Sequence, residues 1–217
     1  MNTAQQIYEA LYQHWGEQHW WPADSPLEMI LGAVLTQNTA WTQVEKAMQR
    51  LKSEQAIDLN RLVDTPASTL EEWIRPAGFF RQKARTIQTF CQHIQQHYKG
   101  SIDTLFELET SALRTELLSW RGVGPETADS ILLYAARRPL FVIDAYTKRF
   151  MVRHGWADEK ATYATLASFF TDQLEQDPAL FNEFHALIVQ LGKTHCRSTP
   201  TCEGCPLQPL LTHPVSV

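Results

Sequence analysis

The chain has 217 residues, 44% of them hydrophobic and 20% charged, which is enough apolar material for a buried core and predicts two lobes. Its 24 acidic and 19 basic side chains give a formal net charge of −5, which excludes a protein that binds polyanions over its whole surface. No apolar run is long enough to span a bilayer, and the N-terminus lacks the pattern of a signal peptide, so we expect a cytoplasmic protein that does not bind membranes.

Helical signals follow one another along the chain, and no convincing alternating strand pattern appears. The run Ser-Pro-Leu-Glu at residues 25–28 has the pattern of a capping box and predicts a helix to about Leu35. Asn38 or Thr39 is expected to cap the next helix, whose apolar residues recur at helical spacing over residues 41–51. Further elements are expected from residue 65 and at residues 79–98, 111–119, 125–138, 144 onward, 161–175 and 179–193.

A glycine-rich turn joins two of these helices. The sequence Gly122-Val123-Gly124 stands between the helix that ends at Ser119 and the helix that begins at Pro125. Glycine tolerates positive φ and lets a ligand approach the backbone, and a proline at the first helical position loses no useful N–H. Because the amides of such a turn can point at a phosphate oxygen, the pattern predicts a hairpin that binds the DNA backbone without reading its sequence.

A single carboxylate follows the hairpin helix. Asp144 comes directly after three apolar residues, 141–143, and immediately before a predicted helix. Aspartate is a preferred N-cap, and a carboxylate beside a buried segment is also a common catalytic group. The two roles are compatible, so both are expected of Asp144.

Together, the hairpin, its spacing and Asp144 resemble the helix-hairpin-helix DNA glycosylases of the endonuclease III family. The resemblance covers most of the chain and implies an all-α fold with two helical lobes and an active-site cleft between them. It implies a middle lobe at residues 25–138, which contains the hairpin, and a terminal lobe made of residues 1–24 and 139–217. Asp144 would stabilise the oxocarbenium-like sugar cation and orient or deprotonate the attacking water.

The residue two places after the second hairpin glycine separates the branches of this family. In the bifunctional branch a lysine stands there, attacks the sugar and cuts the strand through a Schiff base. This chain has Glu126, whose carboxylate cannot form an imine. Glu126 is also a favourable residue for the first turn of a helix, so its presence has an ordinary structural explanation as well. Strand cleavage by the family route is therefore expected to be absent or weak.

Aromatic residues stand where the 3-methyladenine DNA glycosylases of this family hold the flipped base. Trp20, Trp21 and Pro22 precede the first capped helix, and Trp41 follows the Gln-Asn-Thr run at residues 37–39. By this resemblance they would sandwich a purine, and stacking on a base contributes about 1–3 kcal/mol. Lys193, late in the last long helix, is expected to reach the base-binding site or to lie exposed at a helix C-terminus. A cationic methylated purine suits aromatic faces and a carboxylate.

The resemblance also implies a set of DNA contacts. Gln37 matches the residue that fills the gap left by the flipped nucleotide, although it could equally satisfy backbone groups at a helix end. The hairpin residues Gly122, Val123 and Gly124 would bind backbone phosphates. Several cations around them offer a basic patch, although each can also decorate a solvated helix face: Arg121, Arg137, Arg138, Lys148, Arg149, Arg153, Lys193 and Arg197.

Three of the four cysteines lie in a short C-terminal segment, which indicates a reducing compartment rather than a disulfide framework. Cys196, Cys202 and Cys205 resemble the iron–sulfur loop of the family, in which a fourth cysteine follows after five intervening residues. Leu211 stands at that position. A 4Fe–4S cluster would therefore lack one thiolate ligand.

Two other outcomes remain open for this loop. Three thiolates and one imidazole, from His195 or His213, suit tetrahedral zinc. Alternatively the loop holds no metal at all. The sequence does not decide between cluster, zinc and neither.

Taken together, these residues predict a monofunctional DNA N-glycosylase of base excision repair. We expect it to act as a monomer on double-stranded DNA that contains a damaged base, flipping out and hydrolytically excising an alkylated purine such as 3-methyladenine. One alternative is an endonuclease III-like glycosylase and AP lyase that acts on oxidised pyrimidines. Another is a helix-hairpin-helix module that binds DNA without catalysis.

Overall fold

The computed structural model describes residues 1–211, within which all regular structure is helical. The twelve α-helices of that part are α1 (Thr3–Trp15), α2 (Pro26–Leu35), α3 (Trp41–Ser53), α4 (Leu59–Asp64), α5 (Ala67–Trp73), α6 (Phe80–His97), α7 (Ile102–Phe106), α8 (Thr110–Ser119), α9 (Pro125–Ser130), α10 (Ala145–Arg153), α11 (Tyr163–Thr171) and α12 (Pro178–Thr194). Short 3₁₀ turns occur at Arg75–Ala77 and Gln208–Leu210. None of these helices is long and apolar enough to cross a membrane.

The chain forms two compact units. One contains residues 22–136 and holds α2 to α9. The other contains residues 1–21 and the chain from Arg137 onward, and holds α1, α10, α11 and α12. Each unit has its own apolar core.

The first unit is built around α2. Every residue from Leu27 to Leu35 is buried, so this helix is apolar on all sides and needs neighbours around its whole circumference. It packs against α3, α6, α9 and the helical turn that follows α9. Its N-terminus has the predicted cap, in which Glu28 N donates to Ser25 Oγ and the Glu28 carboxylate accepts from the amide of Asp24.

The start of α3 differs from the prediction that Asn38 or Thr39 caps it. The helix begins at Trp41 after Ala40, which makes no side-chain cap. Asn38 has a left-handed φ of 51°, and the Thr39 hydroxyl donates instead to the carbonyl of Ala77. The hydroxyl is therefore used to join two turns rather than to begin a helix.

Other helix limits differ where local signals were weak. The helix predicted at residues 125–138 ends in a π-helical turn at Ile131–Ala135. The helix predicted at residues 161–175 is confined to α11. Two short helices lacked a periodic signal and were not predicted, although the caps Asp58 of α4 and Ser101 of α7 are visible in the sequence.

The core of the second unit is aromatic. Phe141 stacks on Phe170 with ring centroids 3.9 Å apart, and Phe181 and Phe184 meet Phe141 edge to face. Helix α12 packs against both α1 and α10. This packing holds residues 141–143, and with them the start of α10, against the core.

Candidate active site and DNA-binding hairpin

The turn between α8 and α9 depends on one glycine more than on the other. Gly122 has a φ of 86°, and a Cβ there would lie 2.5 Å from Thr86 Oγ1 of α6. Gly124 is extended, with a φ of −99°, and a Cβ there would meet nothing within 4 Å. The prediction that both positions need glycine for positive φ is therefore wrong for Gly124, where the open space instead leaves room for a ligand.

The hairpin amides are not equivalent either. Val123 N donates to the carbonyl of Trp120 at 3.0 Å, and the Val123 side chain is buried. This bond completes the turn, so the Val123 amide does not point at a ligand as the sequence predicted. Gly122 and Gly124 are both exposed, and their role as phosphate contacts stays a prediction.

A part-buried ion pair connects the two hairpin helices. Arg114 of α8 donates to both carboxylate oxygens of Asp129 on α9, with N–O distances of 2.7 and 3.2 Å. Asp129 is 3% exposed, so its charge depends on this bidentate partner. Neither residue was singled out from the sequence.

Gln37 contacts the hairpin directly. It lies in the turn after α2, and its side-chain amide donates to the Gly122 carbonyl and to Thr127 Oγ1, both at 2.9 Å. The prediction that Gln37 satisfies backbone groups therefore describes this structure. The prediction that it also enters DNA requires these two bonds to be exchanged for bonds to bases.

Glu126 lies in the first turn of α9, immediately after Pro125, and its side chain is exposed. Its backbone carbonyl accepts a hydrogen bond from Ser130 Oγ at 2.7 Å. A carboxylate in the first turn of a helix interacts favourably with the backbone N–H groups there. The exposed Glu126 carboxylate therefore places a negative charge at the start of the second hairpin helix.

Asp144 is the N-cap of α10. Its Oδ1 accepts from the backbone amide of Thr147 at 2.7 Å and from the Thr147 hydroxyl at 2.8 Å. The carboxylate is 12% exposed, so it is largely removed from water without being sealed off. The predicted capping role is confirmed by this geometry, in which Oδ1 alone accepts the two cap bonds.

A histidine lies beside the second oxygen of Asp144. His185 Nε2 of α12 is 3.7 Å from Asp144 Oδ2, and His185 is buried. Burial lowers the pKa of His185, while the nearby Asp144 carboxylate acts in the opposite direction. His185 falls on the apolar face of α12 with Phe181 and Ile188, and a polar residue at such a position was the available sequence signal.

The start of α10 also rests on a glycine of α12. A Cβ at Gly192 would overlap the ring of Tyr146, which is two residues after Asp144. Next to it, Lys193 is exposed, with its Nζ 5.8 Å from the ring centre of Trp20. This cation–π contact brings together two of the residues that the sequence predicted for base binding.

The other predicted base-binding residues are Trp21 and Pro22, which stand on either side of a unit boundary in the sequence, and Trp41 of α3. Trp21 contacts Trp20, with ring centroids 5.0 Å apart, and Pro22 is exposed. Trp41 begins α3, and its indole donates to Glu45 at 3.0 Å. Lys148 is exposed on α10. The role of these residues in holding a base or DNA stays a prediction.

A positively charged groove continues from the hairpin along α6. It has a volume of about 690 Å³, and Arg81, Arg85 and Arg121 line it together with glutamine and threonine side chains. One carboxylate, Glu71, also lines it and lies 3.9 Å from Arg81. Of these arginines, only Arg121 was predicted from the sequence.

An exposed phenylalanine precedes the same helix. Phe79 is 66% exposed and has a left-handed φ of 44°. Single exposed apolar side chains are ordinary on protein surfaces, so its exposure makes Phe79 only a candidate contact for a ligand. The sequence placed Phe79 inside a helix and did not single it out.

Comparison with known proteins decides the family. Residues 31–176 match the model of the HhH-GPD superfamily of base excision DNA repair proteins, which is more than half of the chain. The chain belongs to this superfamily. It is a DNA glycosylase of base excision repair, and DNA is its substrate.

The relatives include several branches of the superfamily. A Methanocaldococcus jannaschii protein provisionally named as a DNA repair glycosylase is 43% identical over 93% of this chain and 92% of its own length. The H. pylori 3-methyladenine DNA glycosylase bound to 1,N6-ethenoadenine is 28% identical, with a TM-score of 0.77 over 88% of this chain and 97% of that one. A trapped endonuclease III–DNA covalent intermediate is 25% identical, with a TM-score of 0.82 over 98% and 97%.

The C-terminal loop of this glycosylase is attached to α10 by arginines. Arg149 Nε donates to the Cys196 carbonyl at 2.7 Å, and Arg153 donates to the Ser198 carbonyl at 2.6 Å. Arg153 also lies 3.3 Å from Cys196 Sγ. These two cations, which the sequence assigned to a DNA-binding patch, are thus used within the protein.

The structure does not bring the three cysteines of the loop together as a metal site within the residues that it describes. Within residues 1–211, no group of three His, Cys, Asp or Glu side chains is arranged to hold a metal ion. Burial raises the pKa of Cys205, and the neighbouring Cys202 and Cys196 add to this effect, so its thiol form is favoured when no metal is bound. The possible zinc ligand His213 lies outside the described residues.

Proposed function

We propose that this glycosylase is monofunctional and excises alkylated purines from double-stranded DNA as a monomer. The observation that carries the proposal is Glu126: the first turn of the hairpin helix presents a carboxylate where a lyase needs an amine. A negative charge there is also suited to a purine made cationic by methylation. The similarity to a glycosylase for 3-methyladenine, 28% identical over 88% of this chain, supports the same substrate class.

In this proposal Asp144 supplies the catalytic carboxylate. Its cap bonds to Thr147 fix one oxygen, so the second is held in place to stabilise the developing sugar cation and to orient water. A methylated purine already leaves easily, so no strong general acid is required. The tryptophans at residues 20, 21 and 41, with Pro22 and Lys193, would bind the flipped base.

The hairpin and its surroundings would hold the DNA. Gly122 and Gly124 would contact phosphates, with Arg121 and Lys148 supplying charge. Gln37 would fill the space left by the flipped nucleotide, and the exposed Phe79 would enter the stack beside it as an apolar wedge.

The test measures free base released from methylated duplex DNA beside strand scission at the same site. We expect release of a methylated purine without scission, and loss of release in Asp144→Asn by at least about 10²-fold. Asp177→Asn is the matched control, because Asp177 is the N-cap of α12 and accepts from Ala179 N at 2.9 Å. Equal activity in both variants would show that Asp144 is only a cap.

Two other results would overturn the substrate or the mechanism. Release coupled to scission on DNA with oxidised pyrimidines would show an endonuclease III-like activity. Borohydride trapping of a covalent complex, lost in Lys193→Ala, would assign an imine to that lysine. Binding to damaged duplex without any release would leave a non-catalytic module.

A further inference from the structure

Lys83 of α6 is a buried cation with four oxygen partners. Its Nζ lies 2.8 Å from each of the carbonyls of Leu35, Gln37 and Ala77 and from Thr39 Oγ1. The side chain is 3% exposed, and burial lowers its pKa to about 8. None of these four partners is a carboxylate, so the charge is held by neutral oxygens alone.

Burying the Lys83 ammonium group is unfavourable unless its hydrogen bonds stabilise a particular backbone structure. Removing an ammonium from water carries a large desolvation penalty, and an apolar side chain of similar length fills the same space without it. Lys83 lies on the apolar stripe of α6 with Ile87, Phe90 and Ile94, where a methionine or leucine is the ordinary residue. The lysine is therefore explained by what its three N–H donors bind.

Those donors bind two turns that are far apart in the sequence. One is the turn at residues 36–39 after α2, and the other is the turn at residues 77–79 before α6. In both, the carbonyl bound by Lys83 is followed within two residues by a non-glycine residue of left-handed φ, Asn38 at 51° and Phe79 at 44°. Each such residue is strained, and persists only where its surroundings fix it.

Each turn carries a side chain that is proposed to contact DNA, and Lys83 binds the backbone of both turns. The turn at residues 36–39 carries Gln37, whose amide reaches Gly122 and Thr127. The turn at residues 77–79 carries the exposed Phe79. Thr39 joins the turns directly, because its hydroxyl accepts from Lys83 and donates to the Ala77 carbonyl.

We propose that Lys83 is the positioning residue that fixes the turns at residues 36–39 and 77–79 in the shape with which Gln37 and Phe79 enter DNA. This rests on the proposed function of those two side chains. Lys83 touches neither DNA nor the reacting atoms. It acts by holding two strained backbones that would otherwise relax to other conformations.

The experiment compares binding to a duplex that contains a tetrahydrofuran abasic analogue with binding to the intact duplex. Lys83→Met should lower the preference for the abasic duplex about tenfold, which corresponds to about 1.4 kcal/mol, while affinity for intact DNA stays within about twofold. Gln37→Ala should have a similar effect. Because Lys83 already fixes the turn that carries Gln37, the double variant should be no worse than about twofold below Lys83→Met.

Two further measurements separate positioning from a loss of folding. Amide hydrogen exchange over residues 36–39 and 77–79 should accelerate in Lys83→Met, whereas exchange in α12 should not change. Lys52→Met is the matched control, since Lys52 pairs with Glu28 at the other end of α2 and should leave the preference intact. If Lys83→Met does not fold, Thr39→Val removes one acceptor and the bond to Ala77 and should show the same pattern, weaker.

The outcomes distinguish the two proposals. If Lys83→Met keeps the full preference for the abasic duplex while Gln37→Ala loses it, the role of Lys83 is overturned and gap filling by Gln37 stands. Loss in Lys83→Met without loss in Gln37→Ala overturns gap filling by Gln37, and leaves Lys83 acting through the turn of Phe79. Additive losses in the double variant, or unchanged exchange over both turns, overturn positioning.

Discussion

Gln37 and Gly122, 85 residues apart in the chain, are joined by a hydrogen bond of 2.9 Å from the Gln37 side-chain amide to the Gly122 carbonyl. The same amide donates to Thr127 Oγ1, so one side chain bridges the hairpin turn and the helix after it. The turn that carries Gln37 is thereby joined to the turn proposed to bind phosphate. If Gln37 enters DNA, these two bonds are replaced by bonds to DNA. The net gain in binding free energy is therefore smaller than the new bonds alone would give.

The first prediction concerns the energy of this bridge. Gln37→Leu keeps the volume but removes both donors, and the buried Thr127 hydroxyl loses a partner. We expect the free energy of unfolding to fall by about 1–2 kcal/mol in urea titrations without DNA. Gln95→Leu, which removes an exposed bond to Asn60, should change it by less than about 0.5 kcal/mol. Equal losses of unfolding free energy in the two variants would show that the bonds of Gln37 to the hairpin do not stabilise the fold.

The second prediction separates the two hairpin glycines. Gly122→Ala forces a strained φ and a collision with Thr86, so we expect a loss of about 2–4 kcal/mol of unfolding free energy. Gly124→Ala should change stability by less than about 0.5 kcal/mol, because the position is extended and open. It should instead weaken DNA binding, since the added methyl group occupies the space of a phosphate. Normal DNA affinity in Gly124→Ala would remove that residue from the interface.

Local patterns explain what the sequence predicted correctly. The cap of α2 by Ser25 and the cap of α10 by Asp144 are formed by residues three or four positions apart, so composition and spacing were sufficient. The hairpin was likewise predicted from a continuous run of residues. Gly124 is an exception: a positive φ was expected there, but the backbone is extended.

Contacts between distant segments account for what the sequence did not reveal. Lys83 and His185 occupy apolar faces of α6 and α12, which was the signal available, but their partners lie many residues away. The overlap between Gly192 and Tyr146 depends on how α10 packs on α12. No propensity or spacing rule specifies such pairs, because tertiary packing alone brings them together.

The third prediction is a pH dependence that comes from His185. Burial lowers its pKa in the folded protein below the ordinary value of 6.5, so the unfolded chain takes up a proton that the folded protein does not. The effect of His185 on the free energy of unfolding is therefore absent above pH 6.5, and it lowers that free energy as the pH falls below 6.5. In His185→Gln the unfolding free energy should fall less between about pH 7 and about pH 5 than in the parent. Parallel pH profiles would exclude His185 as the cause.

The fourth prediction concerns the groove along α6. If its arginines contact phosphates, Arg81→Gln and Arg85→Gln should each weaken binding to any duplex and reduce the slope of log affinity against log salt by about 1. Arg50→Gln is the control, because Arg50 is paired with Glu54 on α3 at 2.8 Å. A slope unchanged in both groove variants would show that DNA does not extend from the hairpin into the groove.

The last prediction concerns the contacts that attach the C-terminal loop to α10. Arg153 binds the loop at the Ser198 carbonyl and at Cys196 Sγ, and Leu207 is fully buried, so protein contacts help to attach this segment. Arg153→Met should therefore lower the unfolding free energy by about 1 kcal/mol, because a charged donor to the exposed Ser198 carbonyl and its contact with the buried Cys196 Sγ are lost. Cys202→Ser should change it by less than about 0.5 kcal/mol. The opposite ranking, together with iron or zinc in equimolar amount by elemental analysis, would show that the thiols bind a metal and that the loop is organised around it.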